Sequence, residues 1–191
     1  TVADVYGCTA NVVVPFTRVC PTITVAPSTL AYATVGSSYT QSPAFVASSV
    51  GNQSFTYGAT GVPPGMSFDA SNRVLTGMPT ADGLFNLITT ATDANACEGS
   101  VTVPLRVCPV IDISPITLPD AHVGLDYSQG AAFAPSAGAA PFTWTVTGLP
   151  PGLIFSSATL TISGVPTNLG TSVVTFPVSI GVVDANGCPG S

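Results

Sequence analysis

The groups in this chain that could do chemistry are few: five cysteines, nine acidic side chains, three cations and one histidine. The cysteines are Cys8, Cys20, Cys97, Cys108 and Cys188, and none forms a C-x-x-C pair. Thiolate metal sites need closely spaced ligands, so this placement points to disulfides. Cys97 and Cys108 bracket a stretch that spans ~36 Å when extended, too far for them to bond each other. In a Greek-key sandwich the turn after strand F lies at the same end as the start of strand A. The expected pairs are therefore Cys20–Cys97 and Cys108–Cys188, each clamping a junction between units. Each would close a loop of about 80 residues and stabilise by ~4–5 kcal/mol through chain entropy. Cys8 is left over, and its expected partner lies in a preceding unit or another molecule. Disulfides imply an oxidising, extracellular location.

Asp93, Asn95, Asp184 and Asn186 recur in the matching runs Asp93-Ala-Asn-Ala-Cys97 and Asp184-Ala-Asn-Gly-Cys188. Their oxygens are candidate calcium ligands, but calcium takes about six to eight oxygens. Each junction offers few carboxylates: Asp93 and Glu98 at one, Asp112 and Asp184 at the other. Asp and Asn also shape turns by bonding their own backbone, which is the favoured reading. His122 falls where the earlier copy has Thr34, and reads as a surface loop residue. No Ser/His/Asp set assembles around it, and without lysine there is no Schiff base. No enzyme and no cofactor are expected beyond a calcium possibility. Trp144, Phe142 and Phe155 are a possible carbohydrate platform. Trp144 nevertheless sits on strand C, where sandwiches bury an aromatic, and Tyr57 takes its place in the first copy. Asn52-Gln-Ser54 has the form of a glycosylation sequon.

The elements that would position these groups are written twice. Phe55-Thr-Tyr-Gly-Ala-Thr-Gly-Val-Pro-Pro-Gly-Met66 returns as Phe142-Thr-Trp-Thr-Val-Thr-Gly-Leu-Pro-Pro-Gly-Leu153. Leu75-Thr-Gly-Met-Pro-Thr80 returns as Ile162-Ser-Gly-Val-Pro-Thr167. The offsets are 87 residues here and 91 at the Asp–Cys runs, so the unit is a small domain in an array. Alternating Val, Thr and aromatics between Gly- and Pro-rich turns read as half-buried strands. In the first copy, A follows Cys20 at Thr22 to Val25, and B runs near Tyr39 to Val46. C is Phe55 to Ala59, followed by strands at Met66 to Phe68 and Arg73 to Thr76. F is Phe85 to Thr92 and G is Val101 to Val107. The second copy reads similarly, with its F strand over Val173 to Ile180.

The fold class expected is all-β: two tandem Greek-key β-sandwiches plus an N-terminal strand of a preceding or neighbouring unit. Residues 20–107 are the first repeat, and residues 108–191 the second, lacking its own G strand. Residues 1–19 match the end of F and all of G from a preceding unit. Either the chain is a slice of a longer array, or its front strand completes the open sandwich of another copy as a donor strand.

Charged residues are only 6% and the net charge is -6, with Arg18, Arg73 and Arg106 the sole cations. That argues against nucleic acid and against anionic membrane surfaces. Mean hydropathy is +0.52, yet no run reaches the ~18 apolar residues of a membrane span. No signal peptide is visible at Thr1, so a mature chain or a fragment is expected. A surface of Thr, Ser, Ala and Val should self-associate unless packed against neighbours or coated with sugar.

Gly148-Leu-Pro-Pro-Gly-Leu153, Ile162-Ser-Gly-Val-Pro-Thr167, Val183-Asp-Ala-Asn-Gly-Cys188 and the junction Cys108-Pro-Val-Ile resemble the Ig-like (cadherin-like) repeats of large bacterial surface proteins and adhesins. Tyr39-Thr-Gln41 and Tyr127-Ser-Gln129, each after Val-Gly, strengthen the likeness. Gly58 on strand C departs from it, as does Pro177 within the second F strand, where an edge or bulge is expected. The resemblance implies tandem β-sandwiches on adhesins, stalks and fibres, with no common catalytic site; cadherin-like relatives often use interdomain calcium. The leading expectation is an extracellular structural protein building a bacterial surface filament, stalk or sheath. The alternatives are an adhesin module recognising glycan or a surface, and spacer domains of a secreted enzyme.

Overall fold

The computed structural model describes residues 1–13, 19–50, 54–167 and 173–191. Among these residues every regular element is a strand. A short hairpin, β1 (Val2–Ala3) with β2 (Thr9–Ala10), stands exposed at the front. The first repeat holds β3 (Thr24–Ala26), β4 (Ala33–Thr34), β5 (Tyr39–Thr40), β6 (Val46–Ser48), β7 (Phe55–Thr60), β8 (Met66–Asp69), β9 (Val74–Gly77), β10 (Gly83–Asp93) and β11 (Glu98–Cys108). The second holds β12 (Ile113–Ser114), β13 (Tyr127–Ser128), β14 (Ala134–Pro135), β15 (Thr143–Thr147), β16 (Leu153–Ser156), β17 (Thr161–Gly164), β18 (Ser179–Val183) and β19 (Pro189–Gly190).

In the first repeat one sheet runs β4-β11-β10-β7. Facing it are the β3-β6 pair and the β5-β9-β8 sheet. Long strands β10 and β11 pair antiparallel from Gly83↔Val107 to Thr92↔Glu98. Their period-two alternation sends Leu87, Ala91, Val103, Leu105 and Val107 inward, all fully buried with Phe45 and Leu75. The second repeat repeats the plan with β15-β18-β19 against β12-β14 and β13-β17-β16. Its separate core gathers Phe133, Ile162, Val182 and Ile111. Trp144 joins that core as a half-buried side chain, 6.3 Å from the Phe133 ring.

Three strand expectations need correction. Strand B is not continuous from Tyr39 to Val46. It splits into β5, which pairs β9, and β6, which pairs β3. A buried glutamine bridges the break: Gln41 Oε1 accepts from the Leu75 N–H at 2.9 Å, and its Nε2 donates to the Pro43 carbonyl at 2.9 Å. Gln129 does the same with the Ile162 N–H and the Ala131 carbonyl. Second, the expected strand from Val173 to Ile180 forms only from Ser179 onward. Pro177 has no N–H for the ladder, and the Val178 N–H turns back onto the Phe176 carbonyl. Third, among the described residues the front segment's G side is strand at Thr9–Ala10, while Asn11–Val13 are not in a strand. Residues 14–18, which include Arg18, lie outside the described residues, as does Asn52 of the sequon.

Candidate functional site

One turn is built three times. In Asp93-Ala-Asn-Ala-Cys97 the Asp93 Oδ1 accepts from the Asn95 N–H (2.8 Å) and the Cys97 N–H (2.9 Å), while the Asp93 N–H donates to the Cys97 carbonyl. Asp184 repeats this with Asn186 and Cys188, each at 2.8 Å. Asp4 repeats it with Tyr6 and Cys8, each at 2.9 Å. The residue before each cysteine is left-handed: Gly7 (φ 83°), Ala96 (φ 54°) and Gly187 (φ 80°). An aspartate that caps its own turn leaves few backbone donors unmet, which is why the type recurs at this place.

Charge behaviour follows from these bonds. Burial pushes the Asp184 carboxyl up, but the N–H groups of Ala139, Cys188 and Asn186 outweigh it and hold the group below its ordinary value. The Cys8 and Tyr6 N–H groups likewise lower exposed Asp4. Both Asp184 oxygens are engaged, since Oδ2 accepts from the Ala139 N–H at 3.0 Å. Asp93 and Asp184 are buried, whereas Asn95 and Asn186 are exposed on the turn tips. Among the described residues no three His, Cys, Asp or Glu side chains are grouped to hold a metal. His122 is exposed, in a turn where its carbonyl accepts from the Leu125 N–H.

Each of the two later turns is bolted to the segment entering its sandwich. Cys20 is bonded to Cys97 with Cα atoms 5.5 Å apart, and Cys108 to Cys188 at 5.4 Å. Cys97, Cys108 and Cys188 are buried; Cys8 is free and exposed. The crossing beside each bolt is tight. A Cβ on Gly99 would stand 2.3 Å from the Ile23 carbonyl oxygen, and one on Gly190 2.5 Å from that of Ile111. The front turn has Ala10 in this position. At the repeat junction there is no linker: β11 runs directly into Cys108, its last residues pairing parallel with β4. The Cys108 carbonyl accepts from Val35 in the first repeat while its sulfur bonds the second. The close crossings carried no signal in the sequence beyond a glycine two residues after Cys97 and Cys188.

Comparison with known proteins gives one family and several relatives. The family described as "Putative Ig domain" matches residues 21–107 and 110–190. A protein named "Serine-rich adhesin for platelets" from Staphylococcus aureus (strain MRSA252) is 33% identical over 128 residues, covering 66% of this chain and 10% of that protein. The same-named protein of strain USA300 is 33% identical over 139 residues, covering 72% of this chain and 6% of its own length. The chain therefore spans a tenth or less of these relatives. Among solved structures, mouse cadherin-23 EC22-24 aligns at 12% identity and a TM-score of 0.39, over 89% of this chain and 62% of that one.

Proposed function

Since this chain belongs to the Putative Ig domain family in two tandem copies, we propose that it serves as a load-bearing stretch of an extracellular surface protein. The relatives bearing the name of an adhesin favour a surface role, and paired cysteines suit an oxidising compartment outside the cell. The finer reading is a stalk or filament whose work is mechanical and non-catalytic.

The observation that carries it is the covalent route through the molecule. Tension arriving at Cys20 crosses the disulfide to Cys97, runs along β11, and reaches Cys108. There it crosses to Cys188. The 77-residue and 80-residue intervals between paired cysteines lie off this route. Each would otherwise release on the order of 250 Å of chain on unfolding. Oxidised repeats therefore stay short under load even if their sandwiches open. Residues 1–19, with Cys8 in the place of Cys97 and Cys188, are read as the closing turn and G segment of a preceding unit. Exposed Ile116, Ile154 and Leu125, on a chain with 6% charged residues, suit lateral contact with neighbours or a partner surface.

Single-molecule pulling of the chain between its termini tests this. Under oxidising conditions no extension near 250 Å is expected; with reductant, two such steps are expected. Long steps without reductant would sink the load-bearing reading.

A further inference from the structure

The two repeats differ at one lip of the sandwich. The loop joining β8 to β9 ends on Arg73 at φ 61°, and its counterpart between β16 and β17 ends on Leu160 at φ 54°. The backbones match: Arg73 N–H donates to the Asp69 carbonyl and Leu160 N–H to that of Ser156, while the Phe45 and Phe133 N–H groups bond the two residues' own carbonyls. Left-handed backbone costs a non-glycine residue about 1–2 kcal/mol, so the side chain kept there needs a use. Leu160 has one, packing on the second core. Arg73 does not go inward. Its guanidinium lies 5.8 Å from the centre of the Tyr57 ring, at the mouth of a depression of ≈ 610 Å³.

The depression opens between the β6 edge and β7, an outer strand of its sheet. Tyr57 spans the gap, its hydroxyl accepting from the Ala47 N–H at 2.9 Å. Ser54, Thr56 and Ser71 line it with hydroxyl-bearing side chains, Phe55 and Tyr57 with rings, and Arg73 is the only charged residue among the described residues of the wall. The nearest acid on the hairpin, Asp69, is turned onto its own loop, accepting from Ser71 and Asn72. A guanidinium among hydroxyls and ring faces, in an open depression, matches a carboxylate on a polyhydroxylated ring.

We infer that the depression under Arg73 binds the carboxylate of an acidic sugar, an activity confined to the first repeat because Leu160 replaces the cation in the second. This is independent of the load-bearing reading, and the two fail in different experiments. The test is titration of the isotope-labelled whole chain with glucuronate, N-acetylneuraminate, glucose and N-acetylaspartate amide, followed by backbone amide shifts. Either acidic sugar should give saturable shifts at Ser54, Thr56, Tyr57, Ser71 and Arg73. Arg73→Gly should weaken binding about tenfold or more, and Arg73→Lys less. Because glycine suits the backbone there, Arg73→Gly should fold with an unlowered melting temperature. Four results would overturn the inference: no saturable shift with either acid, equal binding of glucose, equal binding of the aspartate derivative, or full affinity in Arg73→Gly.

Discussion

The two sandwiches share their fastenings and differ in their ladders. In the first, β10 extends over eleven residues and pairs with both β11 and β7. In the second, β18 has five residues and meets only the two-residue β19 on its G side among the described residues. β4 pairs parallel with the far end of β11 in the first repeat, and no such pair occurs among the described residues of the second. The glutamine bridge, the aspartate turn and the disulfide nevertheless recur in both. The fastenings thus persist where Pro177 leaves β18 shorter than β10, and in this chain the second repeat should lean on them harder than the first.

The disulfides test this most severely. Cys188→Ser should remove ~4–5 kcal/mol, by restoring the freedom of an open chain, and unfold the second repeat at ambient temperature. Cys97→Ser removes a similar amount from the first, where the ten-residue β10–β11 pairing should keep a folded though less stable sandwich. Amide exchange, repeat by repeat, reads the difference. Equal collapse of both would show that the ladder adds nothing. Cys8→Ser, at an exposed free thiol, should leave both repeats untouched.

Next in size are the glutamine bridges. Gln41→Ala or Gln129→Ala strands a buried N–H on Leu75 or Ile162, at a cost of about 2–3 kcal/mol each. Chemical denaturation with one probe per repeat should show the loss only in the repeat mutated, because the cores are separate. Coupled losses would mean the repeats fold as one unit.

These bridges also mark how far the sequence could be read. All-β class and a doubled unit were legible because Val/Thr alternation and the doubled Pro-Pro-Gly turns are local signals; the Ig-like kinship came from the resemblance those motifs carry. The glutamines stood in plain view within Tyr39-Thr-Gln41, yet their role was hidden. Alternation cannot tell a strand from a strand about to break, and the partner Leu75 is 34 residues away. Pro177 was visible as a fault in strand F. How far the fault spread was not, since that depends on which neighbour remains to pair. Arg73 gave least warning, because a left-handed arginine arises from loop length and not from any preference of its side chain.

A smaller effect is expected from Asp184, and it depends on pH. Its carboxyl titrates below the ordinary value of about 3.9 when folded. The stability this adds is therefore present above that value and lost as pH falls through the lower, folded one. Asp184→Asn keeps one acceptor oxygen but sets an amide against a backbone N–H. It should cost about 1–2 kcal/mol at pH 7 and flatten the acid limb of the second repeat's stability curve. An unchanged acid limb would mean that the turn's hydrogen bonds do not bias the charge.

The least change should come from the residue before the cysteine, where the first repeat's turn departs from the other two. Gly7 and Gly187 precede their cysteines in left-handed backbone, and Ala96 does so at φ 54° with a Cβ to accommodate. Ala96→Gly removes that strain, worth about 1–2 kcal/mol, but frees the unfolded chain, which returns roughly 0.5–1 kcal/mol. The net expectation is a stabilisation of the first repeat by at most about 1.5 kcal/mol, and Gly187→Ala should destabilise the second by a similar amount. Thermal melts of the two variants should move in opposite directions. Movement in the same direction would show that the turns, though bonded alike, are not equivalent, and that the alanine is held there by its contacts and not merely tolerated.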